Sequence, residues 1–456
     1  MARTGGGRAS RGLVLNVGLW LAGALLSAST VWWGIGPHDE GLMLQAASRI
    51  ADGQWPYRDF WWNYGPGQPV LLAPFGGSLV AWRVIRVLLD ATVALLAYRL
   101  ARRFAGGGEA SSLRAEAPAL LAWLAVAGAM AWPSGPGPNP TALALGLGAL
   151  LLAPKRPGWA GAAAGLAAVF RPEIGIAAAL GLRSARGVAV AAAVAVLGWL
   201  PFLLVAPGEL LDQTVGFLGI QDLQRLPFPL DAETLDPNKL LEFYAPLILV
   251  VGAAVAALTR PPLALVPLGV AGLAYLLGRT DEFHLVPLAA VLPIALVAAK
   301  RARPLALVLV ALIALHGLDR VATLPRDDAA WDAEETGDTA RVLDAIGDRS
   351  IFVAPPRFDQ VTVGNPLLYV LADRPNPTRY DVMQPGVVTT AEVQREIVGD
   401  LEAAKPDLLI RWLDPRTEPE DNGSGRSSGV TILDDHLRAT YRRTARFGTY
   451  EVHARR

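Results

Sequence analysis

Residues Pro37 to Gly67 have the sequence PHDEGLMLQAASRIADGQWPYRDFWWNYGPG and lie between two long apolar runs. The segment combines acidic and basic side chains with a dense group of tryptophans and tyrosines. Charged side chains bordered by Trp and Tyr are typical of the interface between a lipid bilayer and water. We therefore predict a loop, residues 35–78, that the rest of the chain holds over a cavity at the outer membrane face.

The composition of the whole chain indicates an integral membrane protein. Of its 456 residues, 52% are hydrophobic and only 18% are charged, against about 25% charged in ordinary soluble domains. The formal net charge is zero, so bulk charge does not indicate a nucleic-acid partner. Cysteine is absent, which excludes disulfides, thiol catalysis and cysteine-based metal sites.

Apolar runs near the length needed to cross the hydrocarbon core recur through the first 318 residues. The first run follows a basic start, which alone could be a cleaved signal peptide; the many runs behind it favour an uncleaved first helix. The predicted spans are about 13–34, 79–101, 117–133, 139–153, 187–206, 243–259, 262–278, 284–299 and 304–318, with residues 158–182 still to be assigned.

Residues 158–182 determine the topology, because they form either one helix or two short segments that turn at Arg171-Pro172-Glu173. The hairpin puts the later basic clusters on the cytoplasmic side with the N-terminus, as the positive-inside rule requires. Pro172 also favours a break at this point. We therefore predict a hairpin and about eleven crossings, in a cell-membrane protein whose C-terminal part lies outside.

From residue 319 onward the composition becomes that of a soluble domain. Thr389 to Glu392 has the pattern of a capping box that opens a helix to about Ala404. Residues 350–354 and 407–412 have the pattern of short strands. We predict a polytopic α-helical membrane domain, residues 1–318, followed by a small extracytoplasmic α/β domain, residues 319–456. Residues 421–429, DNGSGRSSG, predict a flexible loop.

The charged residues that are not cytoplasmic all fall on the same predicted face. Charges at membrane depth are expensive and usually functional, so this convergence predicts a single site at the outer leaflet. Arginine binds phosphate oxygens in a fork, and a carboxylate can accept a proton from an attacking hydroxyl. The clusters are Asp39/Glu40, Asp59, Arg171/Glu173, Asp222/Arg225 and Arg279/Asp281/Glu282/His284.

The first loop resembles that of the GT-C membrane glycosyltransferases. The resemblance is greatest to the bacterial branch related to protein O-mannosyltransferases and aminoarabinose–lipid A transferases. An acidic pair after the first span is followed by the pattern A-x-x-I-x-x-G-x-x-P-Y-x-D and by Y-x-P-G. In this chain the matching residues are Asp39-Glu40, Ala47, Ile50, Gly53, Pro56-Tyr57, Asp59 and Tyr64-Gly65-Pro66-Gly67.

The resemblance implies transfer of a sugar from a polyprenyl-phosphate-linked donor at the outer face, with inversion. It implies that Asp39 is the general base that activates an acceptor hydroxyl. Glu40 beside it could orient the acceptor, bind a metal, or only be the acid favoured in a first helical turn. The acceptor could be a glycan, a lipid or a protein, and membrane lipids surround the site. We expect substrate or lipid phosphate to bind at Asp59, Tyr64, Arg171, Glu173, Arg279, Asp281 and His284.

Plainer structural roles compete with these assignments. Asp39 could only cap a helix, Asp59 could pair with Arg58 or Arg49, and Arg171 with Glu173 could close the hairpin as an ion pair. No cofactor is certain. A divalent cation among the outer carboxylates and histidines stays open, although no spacing is diagnostic.

Two other functions also remain open. One is a transporter or flippase for a polar lipid, whose charges would line a pathway. The other is a GT-C-like assembly protein that has lost catalysis. The positions of the charges at one face favour the enzyme.

Overall fold

The computed structural model of the chain describes residues 6–31, 36–106, 113–131, 137–226, 240–299, 302–323, 337–420 and 422–456. A described helix coincides with each of the eleven predicted crossings, and short helices α2, α3 and α10 lie between them. In chain order the helices are α1 (Gly6–Ala28), α2 (Asp39–Ala51), α3 (Gly67–Leu72), α4 (Leu79–Phe104), α5 (Leu113–Ala131), α6 (Asn139–Leu152), α7 (Pro157–Phe170), α8 (Pro172–Gly181), α9 (Ala185–Val205), α10 (Pro207–Thr214), α11 (Leu240–Leu258), α12 (Val266–Gly278), α13 (Glu282–Val297) and α14 (Arg303–Thr323).

The helical part turns apolar side chains outward, as a protein surrounded by lipid does. By length and composition, α9 and α14 are each long and apolar enough to cross a membrane, and only 11% of the apolar window of α9 is buried within the protein. Large exposed apolar side chains also line α1. Other apolar helices in the described ranges have 10–17 residues, so the number of crossings stays a prediction.

The hairpin at Arg171-Pro172 is confirmed. Helix α7 ends at Phe170, Arg171 has extended backbone (φ −141°, ψ 101°), and α8 begins at Pro172. A Cβ added to Gly175 would overlap the backbone of Ala168, so α8 folds back against α7. A continuous helix would hold positions 168 and 175 about 10 Å apart.

Helix α7 packs on α9 through two glycines one turn apart, Gly161 and Gly165. A Cβ at Gly161 would overlap the carbonyl oxygen of Gly187, and one at Gly165 would overlap that of Ala191. Small residues at this spacing let helix backbones approach closely in a membrane. The backbones of α7 and α9 therefore touch directly along this seam.

We expect Gly165→Ala to destabilise the hairpin by about 1–3 kcal/mol, because the added methyl group overpacks a backbone contact. Gly148→Ala on α6 is the matched control, since a Cβ there meets only Leu96 Cδ1 at 3.9 Å. Both substitutions gain similar helix propensity. Thermal unfolding in detergent should show a lower midpoint for the Gly165 variant alone, and equal midpoints for the two would contradict this packing.

The C-terminal part contains the predicted α/β fold and a β-hairpin that the sequence did not reveal. Strands β1 and β2 and the helix after Thr390 occupy their predicted positions, and the Thr390 side chain accepts a hydrogen bond from the Val393 N–H. The sheet has the order β1-β2-β4-β3, with β1 and β2 parallel and the other pairs antiparallel. The elements are α15 (Gly337–Ile346), β1 (Ile351–Ala354), α16 (Leu367–Ala372), α17 (Ala391–Ala404), β2 (Leu408–Trp412), α18 (Ile432–Thr440), β3 (Tyr441–Phe447) and β4 (Tyr450–Arg455).

The C-terminal part shares a hydrophobic core with the first loop. One cluster of buried side chains includes Trp62 from the loop, Phe202 from α9 and Phe352 from β1. A Cβ at Gly41 would overlap the backbone nitrogen of Leu367, so α2 and α16 touch without an intervening side chain. The first loop and the C-terminal part therefore lie on the same side of the membrane.

A buried ion pair reinforces this junction. Arg49 Nε on α2 lies 2.8 Å from Asp381 Oδ2, and both side chains are less than 10% exposed. The same guanidinium donates to the carbonyl oxygen of Thr378 at 2.5 Å and lies 5.4 Å from the centroid of the Phe60 ring. Arg49 therefore joins the first loop to the C-terminal part with its charge compensated.

Candidate active site

The candidate site lies where the first loop meets the hairpin corner, the α12–α13 loop and the C-terminal part. Tyr64 to Gly67 are the part of the first loop that contacts the hairpin corner. A Cβ at Gly65 would overlap the carbonyl oxygens of Val169 and Phe170, and one at Gly67 would lie 2.9 Å from the Phe170 ring. The two glycines of the Y-x-P-G pattern therefore let the loop rest directly on the hairpin corner.

Arg171 extends from the hairpin corner to α12. Its Nε donates to Glu173 Oε1 at 2.6 Å, and its guanidinium carbon lies 4.5 Å from the centroid of the Tyr275 ring. Tyr275 in turn stacks on His284, with the ring centroids 4.1 Å apart. A buried arginine, a tyrosine and a histidine thus form one stack, and Glu173 balances the arginine charge.

Arg279 lies at the end of α12 and joins three elements. Its Nε donates to Asp281 Oδ2 at 2.6 Å, its Nη1 to the Gln224 carbonyl at 2.7 Å, and its Nη2 to Glu420 Oε1 at 2.6 Å. Asp281 Oδ1 also lies 2.6 Å from His284 Nδ1. Burial acts to raise the pKa of Asp281, but the hydrogen bond with His284 and the nearby positive charges keep it below its ordinary value.

Asp39 is the first residue of α2 and is half-buried. In the described part of the chain its carboxylate has no hydrogen bond and no ion pair, whereas neighbouring acids are paired. The position before it is His38, whose side chain does not cap the helix. A carboxylate at a helix N-terminus is favoured by the helix dipole, so an acidic side chain suits this position.

Tyr64 lies near enough to Asp39 and the two arginines for their charges to act on the pKa of its hydroxyl. Burial raises the pKa of the Tyr64 hydroxyl, the negative charge of Asp39 raises it further, and the positive charges of Arg171 and Arg279 act in the opposite direction. All three charged groups therefore lie within electrostatic reach of one hydroxyl. The structure brings together residues from the first loop, the hairpin and the α12–α13 loop.

Glu40 has different contacts from its neighbour Asp39. It is buried, and its carboxylate pairs with Arg83 Nε on α4 at 3.2 Å. The same carboxylate accepts a hydrogen bond from the Gly36 N–H at 2.9 Å. Glu40 therefore ties the start of α2 to α4.

Among the described side chains, the remaining predicted residues make no contact with Asp39, Arg171 or Arg279. Asp59 pairs with Arg58 at 2.7 Å and accepts a hydrogen bond from the Trp55 N–H at 2.7 Å, which closes a turn of the loop. Asp222 and Arg225 are exposed. The side chain of Glu282 lies outside the described residues. Among the described residues no three His, Asp or Glu side chains gather in a way that could hold a metal ion.

No family model matches the sequence, and no curated protein matches it by sequence. The structure is similar to the crystal structure of ArnT from Cupriavidus metallidurans bound to undecaprenyl phosphate, with a TM-score of 0.55 and 15% sequence identity over 98% of each chain. The chain shares the overall fold of that structure. Helical domain and C-terminal part are both included in the match, although the sequence resemblance covered only about the first 320 residues.

Within this fold an apolar groove lies between α5, α11, α13 and α14. It is lined by apolar side chains such as Leu249, Leu285 and Ile313. His316 and Arg320 of α14 are its two basic lining residues. The groove therefore combines an apolar lining with two basic residues of α14.

Four residues of the site were not identified from the sequence: Arg83, Gln224, Tyr275 and Glu420. Tyr275 resembled an ordinary interfacial tyrosine near the end of a span, and Glu420 lay in a segment that was assigned no role. Arg83 could have been found only from its position, because a charged residue inside an apolar run usually marks function.

Proposed function

We propose that this protein is an integral-membrane glycosyltransferase that moves a sugar from a polyprenyl-phosphate-linked donor to an acceptor hydroxyl. The observation that carries the proposal is the unpaired Asp39 carboxylate within electrostatic reach of Tyr64, together with two arginines. A free carboxylate and nearby cations are the two elements needed to activate a hydroxyl and to stabilise a departing phosphate. The fold shared with ArnT, which was crystallised with undecaprenyl phosphate, supports the same class of donor.

In this mechanism Asp39 takes the proton from the acceptor hydroxyl. The oxygen attacks the anomeric carbon from the side opposite the phosphate, and the bond between that carbon and the phosphate oxygen breaks. The electron pair leaves with the polyprenyl phosphate, and the configuration of the anomeric carbon inverts. The proton remains on Asp39 until solvent accepts it.

The basic residues divide between holding the phosphate and orienting its neighbours. Arg279, at the water-facing loop, binds the phosphate, and His284 supports it from the adjacent turn. Arg171 adds positive charge from the hairpin corner, held by Glu173 and by the Tyr275 ring. Asp281 orients Arg279 and His284 through its two oxygens. The Tyr64 hydroxyl contacts the donor between these cations and Asp39.

The two other acids of the first loop position the site. Glu40 holds the first turn of α2 through Arg83, so that Asp39 keeps its direction. Asp59 keeps the loop closed through Arg58 and the Trp55 N–H. The prenyl chain lies in the groove between α5, α11, α13 and α14, and the C-terminal part is extracytoplasmic with the N-terminus in the cytoplasm.

The function is tested by comparing envelope glycans of a deletion strain and its complemented strain by mass spectrometry. We expect one sugar modification to disappear in the deletion strain and to return in the complemented strain. A lipid-linked form of that sugar should accumulate in the deletion strain. A vesicle assay without any acceptor tests for transport instead. Unchanged glycans together with lipid movement in those vesicles would refute sugar transfer.

Arg279→Gln tests whether Arg279 binds the phosphate of the donor. We expect undecaprenyl phosphate to bind the purified variant in detergent roughly tenfold more weakly or worse, because a hydrogen bond to a charged group contributes about 1.5–3 kcal/mol. Arg225→Gln, in the neighbouring loop and exposed, is the control and should bind as the wild type does. Equal affinity for the two variants in native mass spectrometry would remove Arg279 from the donor site.

A further inference from the structure

The guanidinium of Arg279 is surrounded by acceptors on all three of its nitrogens. Two of them, Asp281 and the Gln224 carbonyl, belong to the loops around the membrane helices. The third, Glu420, comes from the C-terminal part, 141 residues further along the chain. A side chain of the C-terminal part therefore occupies one face of the residue that our proposed function assigns to the phosphate.

The two carboxylates on Arg279 differ in how firmly they are held. Asp281 also caps α13 through the His284 N–H at 3.0 Å and contacts His284 Nδ1. Glu420 has one other side-chain contact among the described residues, a 2.7 Å hydrogen bond from Asn422 Nδ2. Its side chain is 27% exposed. Glu420 is thus the acceptor that a ligand can displace.

The segment that carries Glu420 rests on the loop after α10. A Cβ at Gly423 would lie 2.9 Å from the Leu223 Cα, and Gln224 donates a hydrogen bond to Gln384 of the C-terminal part. The composition of residues 421–429 predicted a flexible loop, but the described residues are anchored, for example by the Ser428 N–H donating to the Asp359 carbonyl at 2.7 Å. Glu420 is therefore presented to Arg279 by an ordered segment.

We propose that Glu420 occupies the anion position on Arg279 that the phosphate of the donor takes over, so that the C-terminal part gates the donor site. A carboxylate and a phosphate present similar charged oxygens to a guanidinium, and both cannot use the same Nη2 donor fully. Binding of the lipid phosphate exchanges one anion for the other and frees the Glu420 segment. The inference rests on the proposed function only in assigning the phosphate to Arg279.

The test measures binding of undecaprenyl phosphate to Glu420→Gln in detergent by native mass spectrometry. The amide keeps the size of the side chain but loses the competing charge, so we expect the Kd to fall roughly tenfold. Binding of undecaprenol, which lacks the phosphate, should not change. Glu418→Gln is the matched control, because Glu418 lies on the same segment, is exposed and has no side-chain contact with Arg279.

A purely structural docking role for Glu420 gives a different result. In that case Glu420→Gln lowers the thermal midpoint and leaves the Kd for undecaprenyl phosphate unchanged or raises it, and this outcome overturns the gate. An equal fall in the Kd for undecaprenol also overturns the gate, because the effect of the substitution then does not act through the phosphate. If Arg279→Gln binds undecaprenyl phosphate as the wild type does, the gate is wrong, while sugar transfer with Asp39 as the base still stands. If glycans are unchanged by deletion of the gene, sugar transfer is refuted, while the effect of Glu420→Gln on binding of undecaprenyl phosphate keeps its meaning.

Discussion

Asp39→Asn is expected to reduce sugar transfer by about 100- to 10,000-fold, the contribution typical of a positioned general base. The asparagine amide cannot take the proton from the acceptor hydroxyl, but it has nearly the same shape. Because the Asp39 carboxylate has no hydrogen bond or ion pair among the described residues, its replacement breaks no structural contact there. We therefore expect the variant to fold normally and to bind undecaprenyl phosphate as the wild type does.

The matched control for Asp39→Asn is Asp52→Asn. Asp52 lies at the other end of α2 and is exposed, so this variant should retain transfer. The readout is the envelope glycan of a deletion strain complemented with each variant, measured by mass spectrometry. Normal glycan from a folded Asp39→Asn protein would exclude Asp39 as the base.

Arg49→Met is expected to produce the largest loss of stability, about 3–5 kcal/mol, because it leaves the buried Asp381 carboxylate without its cation. Asp381 would keep only contacts such as its 2.8 Å hydrogen bond from Asn376 Nδ2. Methionine preserves much of the apolar stem that packs near Phe60. The free energy of unfolding is measured by chemical denaturation in detergent, followed by tryptophan fluorescence.

Arg58→Met provides the comparison for a surface ion pair. Arg58 and Asp59 lie 2.7 Å apart, but their side chains are 49% and 30% exposed, and such pairs contribute about 0–1 kcal/mol. The Arg49 variant should also become sensitive to protease at the junction of the first loop and the C-terminal part. Equal stability of the two variants would show that Arg49 and Asp381 do not hold this junction.

Hydropathy predicted the helices because lipid imposes a simple requirement on sequence. A segment that crosses the hydrocarbon core must be apolar and must satisfy its own backbone hydrogen bonds. Every predicted span accordingly has a described helix, and Pro172 correctly marked the turn between α7 and α8. The same local logic found β1, β2 and α17, since each has a pattern visible within a few residues.

Local sequence patterns did not predict the ion-pair partners of the charged side chains. Glu40 stands next to Asp39 in sequence, yet Glu40 pairs with Arg83, whereas Asp39 has no ion pair among the described residues. Arg279 meets Glu420 across 141 positions, and no periodicity connects them. The first loop also contributes side chains to a hydrophobic cluster of the C-terminal part, and no local pattern predicted that contact.

The sequence by itself determined a helical membrane protein with a charged, aromatic first loop, a short hairpin and a small α/β unit. These features follow from hydropathy, proline and capping signals, which act over one helix or one turn. Only the tertiary structure decided which acid stays free and which arginine binds which carboxylate, and that the C-terminal part reaches Arg279. The reason is physical: the pairing of a charge depends on distance and burial in the folded chain, and these arise from contacts between segments far apart in sequence.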